Sequence, residues 1–258
     1  MFPEERQQKI YDMICANKSI KVTQLSQALN SSEVTIRRDL DELQSRNKII
    51  RTHGGAMAMY SVANEVSAPE LISSHKCIEE KRKIAAEAYK HISDNDTILA
   101  DSSSTVYELI KLIAKGKKKK LLIITTSLLV VNTLSACGNT RVILAGGAVN
   151  YKHNNVEGHI TNEIIKSLRA DKSFIGINGI DRDFGYSTPR FEDAETKALI
   201  MKSSMQSFIL ADSTKFDKSY LARISAECDY IITDQKKAGY DYDWVLDKAE
   251  LLLAEKDA

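Results

Sequence analysis

Residues 32–40 are Ser32-Glu33-Val34-Thr35-Ile36-Arg37-Arg38-Asp39-Leu40, a polar and basic beginning followed by apolar residues at helical spacing. Ser32 is a good N-cap, so the pattern predicts a helix from Glu33 to about Arg46. Its buried face takes Leu40 and Leu43, together with either Val34 or Ile36. The small polar residues and arginines then lie on the outer face near the helix N-terminus, as in a helix that enters the major groove of DNA.

Two shorter helices are predicted before this one. Ile10, Met13 and Ile14 recur at helical spacing and indicate a first helix from near Glu4 to about Asn17. Thr23 is a candidate N-cap for a second helix over 24–29, after which Asn30-Ser31 turns the chain toward the third helix. Two helices joined by so short a turn have the spacing of a helix-turn-helix, about 20–39.

A small β-hairpin with a glycine-containing tip is predicted over 49–56, and its Arg51 and His53 can contact a phosphate strand as the arm of a winged helix does. Residues 1–58 carry nine basic and seven acidic residues, and the basic ones gather on the third helix and the hairpin. On this pattern alone, an ordinary exposed three-helix bundle is the alternative. The candidate DNA-contacting residues are Ser32, Glu33, Thr35, Arg37, Arg38, Arg51 and His53.

The remainder of the chain alternates apolar strands with amphipathic helices, which predicts an α/β domain with an open, mostly parallel sheet covered on both faces. Residues 59–75 have few large apolar side chains and are interpreted as a linker, so the predicted domains are 1–58 and 76–258. The predicted helices are 76–92, 104–114, 127–137, 158–169, 192–206 and a final one around 242–255. The predicted strands are 97–101, 121–126, 141–145, 173–178, 207–212 and 230–234.

Composition excludes several classes of protein. With 258 residues, 43% hydrophobic and 28% charged, the chain is long enough for two globular domains. Its apolar runs are too short for a membrane span, and its charged N-terminus has no signal core, so we expect a cytoplasmic protein. The four cysteines, at 15, 77, 137 and 228, are too far apart for a disulfide framework or a zinc ribbon, and no metal or cofactor is expected.

Several loops follow predicted strands at the sheet edge where open α/β sheets bind their ligands. Consecutive hydroxyl groups at a helix N-terminus suit a phosphate, although a serine-rich cap without a ligand gives the same pattern. Lys215 is a plausible anion partner or a surface lysine. The candidate effector-binding residues are Asp101, Ser102, Ser103, Ser104, Thr105, Thr126, Ser127, Gly146, Gly147 and Lys215; Glu195-Thr196-Lys197 is a further polar stretch.

The string over 32–40, followed by Arg51-Thr52-His53-Gly54-Gly55-Ala56, resembles the S-x-x-T-I-R-R-D-L helix and R-x-H-G-G-A wing of the DeoR family of bacterial transcription regulators. The resemblance extends over about residues 4–235. It implies a sensor domain similar in fold to ribose-phosphate isomerases and CoA transferases, one that binds a phosphorylated sugar and alters DNA binding in response. Two positions depart from the family pattern: Ser103 replaces a glycine and Ser127 an asparagine.

Three functions are therefore compared. The first is a sugar-phosphate-responsive regulator of a carbohydrate catabolic operon, which binds double-stranded operator DNA as a homo-oligomer, a dimer or a tetramer. The second is a sugar-phosphate isomerase or CoA-transferase-like enzyme, with Glu195 or Asp212 as the base and Lys215 steadying an enediolate. The third is a DNA-binding module with a purely structural dimerisation domain. The sequence favours the first, a non-enzymatic regulator, since a recognition helix has no use in an isomerase.

Overall fold

A computed structural model of the chain describes residues 3–17, 19–45, 49–52, 54–58 and 77–254. The chain forms two compact units, with the described residues up to Ala58 in the first and those from Cys77 in the second. The proposed linker 59–75 and His53 lie outside the described residues. Among the described residues, no helix has the length and apolar character needed to cross a bilayer.

The N-terminal unit contains three helices and a three-stranded antiparallel sheet. The helices are α1 (Pro3–Asn17), α2 (Val22–Leu29) and α3 (Glu33–Ser45); the strands are β1 (Ser19–Lys21), β2 (Ile49–Thr52) and β3 (Gly55–Ala58), in the order β1-β3-β2. The apolar stripes of the helices meet in one core with Ile10, Ile14, Leu25, Ile36 and Leu40. The predicted winged helix-turn-helix is thus confirmed.

Two local predictions in this unit are settled or corrected. Ile36 is fully buried whereas Val34 is 79% exposed, so Ile36 is the core residue of α3. Thr23 is not the N-cap of α2, because the helix begins two residues earlier than predicted, at the buried Val22, and Lys21 is its N-cap. There the backbone N–H of Lys21 donates to Oε1 of Gln24 at 3.1 Å. Strand β1 was not predicted, and it adds to the hairpin as a third strand.

The C-terminal unit is built on seven parallel strands. They are β4 (Thr97–Ala100), β5 (Leu121–Thr125), β6 (Thr140–Leu144), β9 (Ala170–Gly176), β12 (Ser204–Leu210), β14 (Tyr230–Thr233) and β15 (Glu250–Leu253), in the spatial order β6-β5-β4-β9-β12-β14-β15. The order runs outward in both directions from β4 and β9, so the switch point of the sheet lies between these two strands. In doubly wound sheets the ligand crevice lies at that point, beyond the carboxyl ends of the strands.

Helices cover both faces of this sheet, as predicted. They are α4 (Ile78–Lys90), α5 (Ser104–Lys115), α6 (Leu128–Leu134), α7 (His159–Lys166) and α8 (Phe191–Lys202). Successive strand residues alternate between two cores: Phe174 packs with α4, α5 and α6, whereas its neighbour Ile175 packs with α7 and α8. This alternation follows from the two-residue period of a strand.

Short additional strands lie beyond the main sheet. β7 (Ala148–Asn150) and β8 (Asn155–Glu157) form a hairpin, and β10 (Gly179–Asp181), β11 (Gly185–Thr188) and β13 (Ala222–Arg223) form a small antiparallel sheet. None was predicted, because two to four residues give too little periodicity.

The predicted helix over 242–255 is wrong. Only a short helix, α9 (Asp243–Leu246), forms there, and the following residues make β15. Leu251, Leu252 and Leu253 pair in parallel with β14, so the open edge of the sheet overrides their helical propensity. The predicted helix 192–206 likewise ends early, at Lys202, because Ser204 already pairs with Ala170 of β9.

Candidate functional site

The turn between α2 and α3 is held by local hydrogen bonds. Asn30 adopts the left-handed conformation (φ 47°) that ends α2. The backbone N–H of Ser31 donates to the carbonyl of Ser26 at 3.1 Å, and Oγ of Ser26 donates to the carbonyl of Ser31 at 2.6 Å. This short closed turn fixes α3 relative to α2.

Ser32 caps α3 as predicted. Its Oγ accepts from the backbone N–H of Thr35 at 3.2 Å and lies 2.9 Å from the Thr35 hydroxyl. One helical turn on, the guanidinium of Arg37 donates to Glu33 at 3.2 Å. Four of the predicted DNA-contacting side chains therefore form two local pairs at the start of the helix.

Arg38 and Arg51 differ in their surroundings. Arg38 is exposed and forms no ion pair with any residue that the structure describes. On the hairpin, Arg51 lies 3.5 Å from the carboxylate of Asp41, and its Nη1 is buried with no hydrogen-bond partner among the described residues. Arg38 is thus the more available of the two for a phosphate or a base edge.

Asp39 locks α3 onto α1. This residue is 4% exposed, and its carboxylate accepts from Nε of Arg6 at 2.6 Å and from the side chain of Gln7 at 3.3 Å. The hydrogen bond with Asp39 raises the pKa of Arg6 above its ordinary value. The acidic residue of the pattern R-R-D-L therefore serves the packing of the helix, not the DNA surface.

The second site lies at the switch point of the C-terminal sheet. Asp101 directly follows β4 and is 3% exposed. Its Oδ1 accepts from the backbone N–H of Ser103 at 2.9 Å, and its Oδ2 accepts from the backbone N–H of Gly176 at the end of β9, at 3.0 Å. Oδ2 also pairs with the ammonium of Lys197 on α8, a side chain that is 12% exposed. One carboxylate thus joins β4, β9 and α8.

The serine-rich loop forms the N-terminus of α5. Ser103 caps the helix by accepting from Val106 N–H at 3.4 Å, while Ser104 and Thr105 form its first turn. A Cβ on Gly176 would come within 2.5 Å of the Ser103 side chain. The serine that replaces the family glycine is therefore accommodated because β9 ends in a glycine.

The loop after β5 is arranged in the same way. Ser127 caps α6 by accepting from Val130 N–H at 3.4 Å, and the carbonyl of Thr126 accepts from Val156 of the β7–β8 hairpin at 2.8 Å. Asn155 of β8 pairs with Ser127 as an isolated bridge. Asn155 is 5% exposed, and its Oδ1 is buried without a hydrogen-bond partner among the described residues.

A cleft brings these elements together. It is lined by Asp101, Ser102, Thr126, Asn155, Val156, Glu157, Asp193, Thr196, Lys197 and Ile200. Arg190 holds two carboxylates of this lining, because it donates to Glu157 at 2.9 Å and lies 3.7 Å from Asp193. Burial lowers the pKa of Arg190, but its bond to Glu157 and the surrounding carboxylates raise it above its ordinary value.

The remaining predicted effector residues lie outside the lining of this cleft. Gly146 and Gly147 form the turn between β6 and β7; the Gly146 carbonyl accepts from Thr161 Oγ1 at 2.7 Å. Gly147 has φ 148°, and a Cβ there would lie 2.0 Å from that hydroxyl oxygen. Gly147 therefore allows this turn to pack against α7.

Lys215 is grouped with another lysine. Burial lowers the pKa of Lys81 on α4, and the charge of Lys215 lowers it further while Asp212 opposes this. Asp212 caps the short 3-10 helix Ser213–Lys215 by accepting from Thr214 N–H at 3.1 Å. Glu195, the other candidate base, is exposed on α8. Neither candidate base lines the cleft with Asp101 and Lys197.

Sequence reasoning missed most of the cleft wall. Lys197 was noted only as part of a polar stretch, and Asn155, Glu157 and Asp193 were not singled out. No group of three or more His, Cys, Asp and Glu side chains among the described residues is arranged to hold a metal ion. The cleft offers instead one ammonium group, three carboxylates and the polar side chains of Ser102, Thr126, Asn155 and Thr196, next to the capped N-termini of α5 and α6.

A helix-turn-helix unit together with a second unit that has a polar cleft is typical of DNA-binding proteins that respond to a ligand. The chain belongs to the DeoR family of transcription regulators: residues 6–62 match the DeoR-like helix-turn-helix domain, and residues 76–235 match the DeoR C-terminal sensor domain. The family resemblance of the sequence is thereby confirmed.

Two curated relatives extend over nearly the whole chain. It is 34% identical over 238 residues to the HTH-type transcriptional regulator GolR of Listeria innocua, covering 92% of each chain. It is 30% identical over 234 residues to the L-fucose operon activator of Escherichia coli, covering 90% of this chain and 95% of the activator. A solved ribose 5-phosphate isomerase from Plasmodium falciparum is 20% identical, with a TM-score of 0.37 over 53% of this chain and 52% of that one.

Proposed function

We propose that this protein is a sequence-specific DNA-binding regulator of a carbohydrate catabolic operon, controlled by a phosphorylated sugar that binds at the Asp101–Lys197 cleft. The observation that carries the proposal is the ion pair between these two residues at the switch point of the sheet. The DNA half rests on the family and on the helix-turn-helix; the relative named as an L-fucose operon activator supports the carbohydrate part.

The phosphate is assigned to the side of the cleft that contains Lys197. An anion there meets an ammonium group that is mostly withdrawn from water, together with the N-terminal ends of α5 and α6. Helix N-termini and a partly buried cation both favour negative charge. Since Asp101 pairs with Lys197, a phosphate competes with this carboxylate for the ammonium group.

The hydroxyl-bearing part of the ligand is assigned to the wall formed by Asn155 and Glu157. Asn155 Oδ1 is a buried acceptor that has no donor among the residues the structure describes, a state that costs about 1–3 kcal/mol. A sugar hydroxyl supplies that donor, and the carboxylates of Glu157 and Asp193 accept from its neighbours. The ligand class that fits both walls is a small polyhydroxylated phosphate.

Regulation then follows from linkage. The ligand shifts DNA binding only by its differential affinity for the DNA-bound and free conformations. We further propose a cytoplasmic homo-oligomer, a dimer or a tetramer, that places two α3 helices in successive major grooves of a repeated or palindromic operator. Lys215, Gly146 and Gly147 contribute to the shape and charge of the sensor unit rather than to the cleft wall.

A sugar-phosphate isomerase or CoA-transferase-like enzyme is the less favoured alternative. A general base has to lie within hydrogen-bond reach of the reacting group. Glu195 is exposed, and Asp212 already accepts two hydrogen bonds from Thr214. Neither is among the residues of the cleft, so we propose that binding, not catalysis, is the role of this unit.

The experiment is DNA binding at fixed salt to the promoter region beside the protein's own gene, with and without a panel of sugar phosphates that includes fuculose 1-phosphate. A change caused by one compound supports the sensor and shows whether it strengthens or releases the complex. Specific binding that no compound alters contradicts the sensor half alone. Absence of specific binding, with turnover of a panel member, contradicts the regulator as a whole and supports the enzyme.

A further inference from the structure

The start of α3 carries an apolar side chain that the core does not use. Val34 is 79% exposed, the most exposed large hydrophobic side chain in the described part of the chain. The buried face of the helix is already formed by Ile36, Leu40 and Leu43. A single exposed valine is ordinary on a protein surface, so its neighbours decide what it means.

Val34 shares its face of the helix with two arginines. Positions three and four residues further on, here Arg37 and Arg38, lie beside it on the helix surface, and both are exposed. The outer face therefore presents a branched apolar group next to two guanidinium groups. In the major groove the thymine C5-methyl is the apolar feature of the base edges, whereas arginines bind guanine acceptors and phosphates.

The polar residues around Val34 are partly engaged within the helix. The hydroxyls of Ser32 and Thr35 lie 2.9 Å apart, and Ser32 also caps the helix. Glu33 pairs with Arg37 at 3.2 Å. Val34 is the remaining residue of the first turn, and its branched Cβ holds the methyl groups in one favoured χ1 rotamer. A fixed apolar group is suited to recognising one methyl group.

We propose that Val34 is a base-reading residue that packs against the C5-methyl group of one thymine in each half-site of the operator. The inference rests on the DNA-binding part of the proposed function. It is independent of the sensor ligand. The contact adds a preference for thymine at one base pair of each half-site, in addition to the bases that Arg37 and Arg38 recognise.

The test removes the methyl group from the DNA and the valine methyls from the protein in turn. A binding site is first selected by the full chain from a pool of random duplexes; failure to enrich any sequence contradicts the proposed DNA-binding function itself. Each thymine of the selected site is then replaced by deoxyuridine, which lacks only the C5-methyl group. Affinities are measured for the wild type, for Val34→Ala and for Val149→Ala, a control at an exposed valine of the C-terminal unit.

The wild type and the control are expected to lose about three- to fivefold in affinity at one thymine of each half-site, the loss for one methyl-sized group. Val34→Ala is expected to show no loss at that thymine and unchanged losses elsewhere. Because Val34 is exposed and alanine is the better helix former, the variant folds, and its circular dichroism spectrum checks this. Equal losses in wild type and variant at every thymine, or no loss at any, overturn the proposal.

Discussion

Asp101 and Lys197, separated by 96 residues in the chain, form an ion pair where β4, β9 and α8 meet. The same carboxylate oxygen accepts from Gly176 N–H at 3.0 Å. The ammonium group is thereby held at the sheet edge where the loops of α5 and α6 begin. This pair is the centre of the proposed sensor, because an anionic ligand takes the place of the Asp101 carboxylate as the partner of the Lys197 ammonium group.

Replacing Lys197 by methionine is expected to abolish the response to a sugar phosphate. In the wild type a ligand at 100 times its Kd stabilises the sensor unit by about 2.7 kcal/mol, which a thermal-shift measurement detects. The variant is expected to melt at a lower temperature, because the buried Asp101 loses its cation. It is expected to show no further shift with the ligand, while still binding DNA below its melting temperature. Lys202→Met, at the exposed end of the same helix, is the control and is expected to respond as the wild type does.

Asn155→Leu is expected to separate stability from ligand binding. Removing a buried acceptor that has no donor in the described part of the chain raises the free energy of unfolding of the ligand-free protein by about 1 kcal/mol. It also weakens the stabilisation by sugar phosphates, since the hydroxyl contact is lost. Asn162→Leu is the matched control: Asn162 is equally buried, but its Oδ1 accepts from Thr196 at 2.9 Å, so this change destabilises. A destabilised Asn155→Leu would show that its oxygen has an internal partner.

Arg38→Ala is expected to cost about 1–3 kcal/mol of operator affinity if Arg38 contacts a base edge. If Arg38 instead contacts phosphate, the loss of affinity is uniform across DNA sequences. The slope of log affinity against log salt concentration then falls by about one. Arg37→Ala is expected to cost less, because Arg37 already pairs with Glu33. The measurement is affinity against salt concentration, with the exposed Arg82→Ala of the C-terminal unit as control. Unchanged specific binding by both α3 variants would contradict the role of this helix.

Asp39→Ala is expected to destabilise the N-terminal unit by about 3–5 kcal/mol, because it leaves the largely buried Arg6 without its anion. Asp41→Ala, whose 69% exposed carboxylate lies 3.5 Å from Arg51, is expected to change stability by less than about 1 kcal/mol. Hydrogen exchange of the amides of α1 and α3 distinguishes the two. Similar protection in both variants would mean that Asp39 does not lock α3 onto α1.

How much the sequence predicts depends on how local the signal is. The Ser32 cap, the core of α3 and the alternation of strands and helices are local patterns, and the structure confirms them. The C-terminal helix was wrong because Leu251–Leu253 find a partner strand in β14, which no local pattern reveals.

The candidate site divides in the same way. Asp101, Ser102 and Thr126 follow strands directly and were predicted at the sheet edge, where the structure has them in one cleft. Asn155 and Lys197 reach that cleft from a hairpin and a helix that are remote in sequence. Their spacing along the chain therefore does not predict that they lie in the cleft. Lys215 follows a strand too, but its electrostatic neighbours are Lys81 and Asp212.

The central claim is that occupation of the Asp101–Lys197 cleft changes DNA binding. In the most direct test, the protein is bound to its selected DNA site, and a sugar phosphate is titrated into this complex. The compound used is the one that gives the largest thermal shift. Wild type and Lys197→Met are measured side by side. The account predicts a saturable change in DNA affinity of the wild type, at the same concentrations as the thermal shift, and none for Lys197→Met. An equal change in both proteins, or thermal stabilisation of the wild type with no change in DNA affinity, would contradict it.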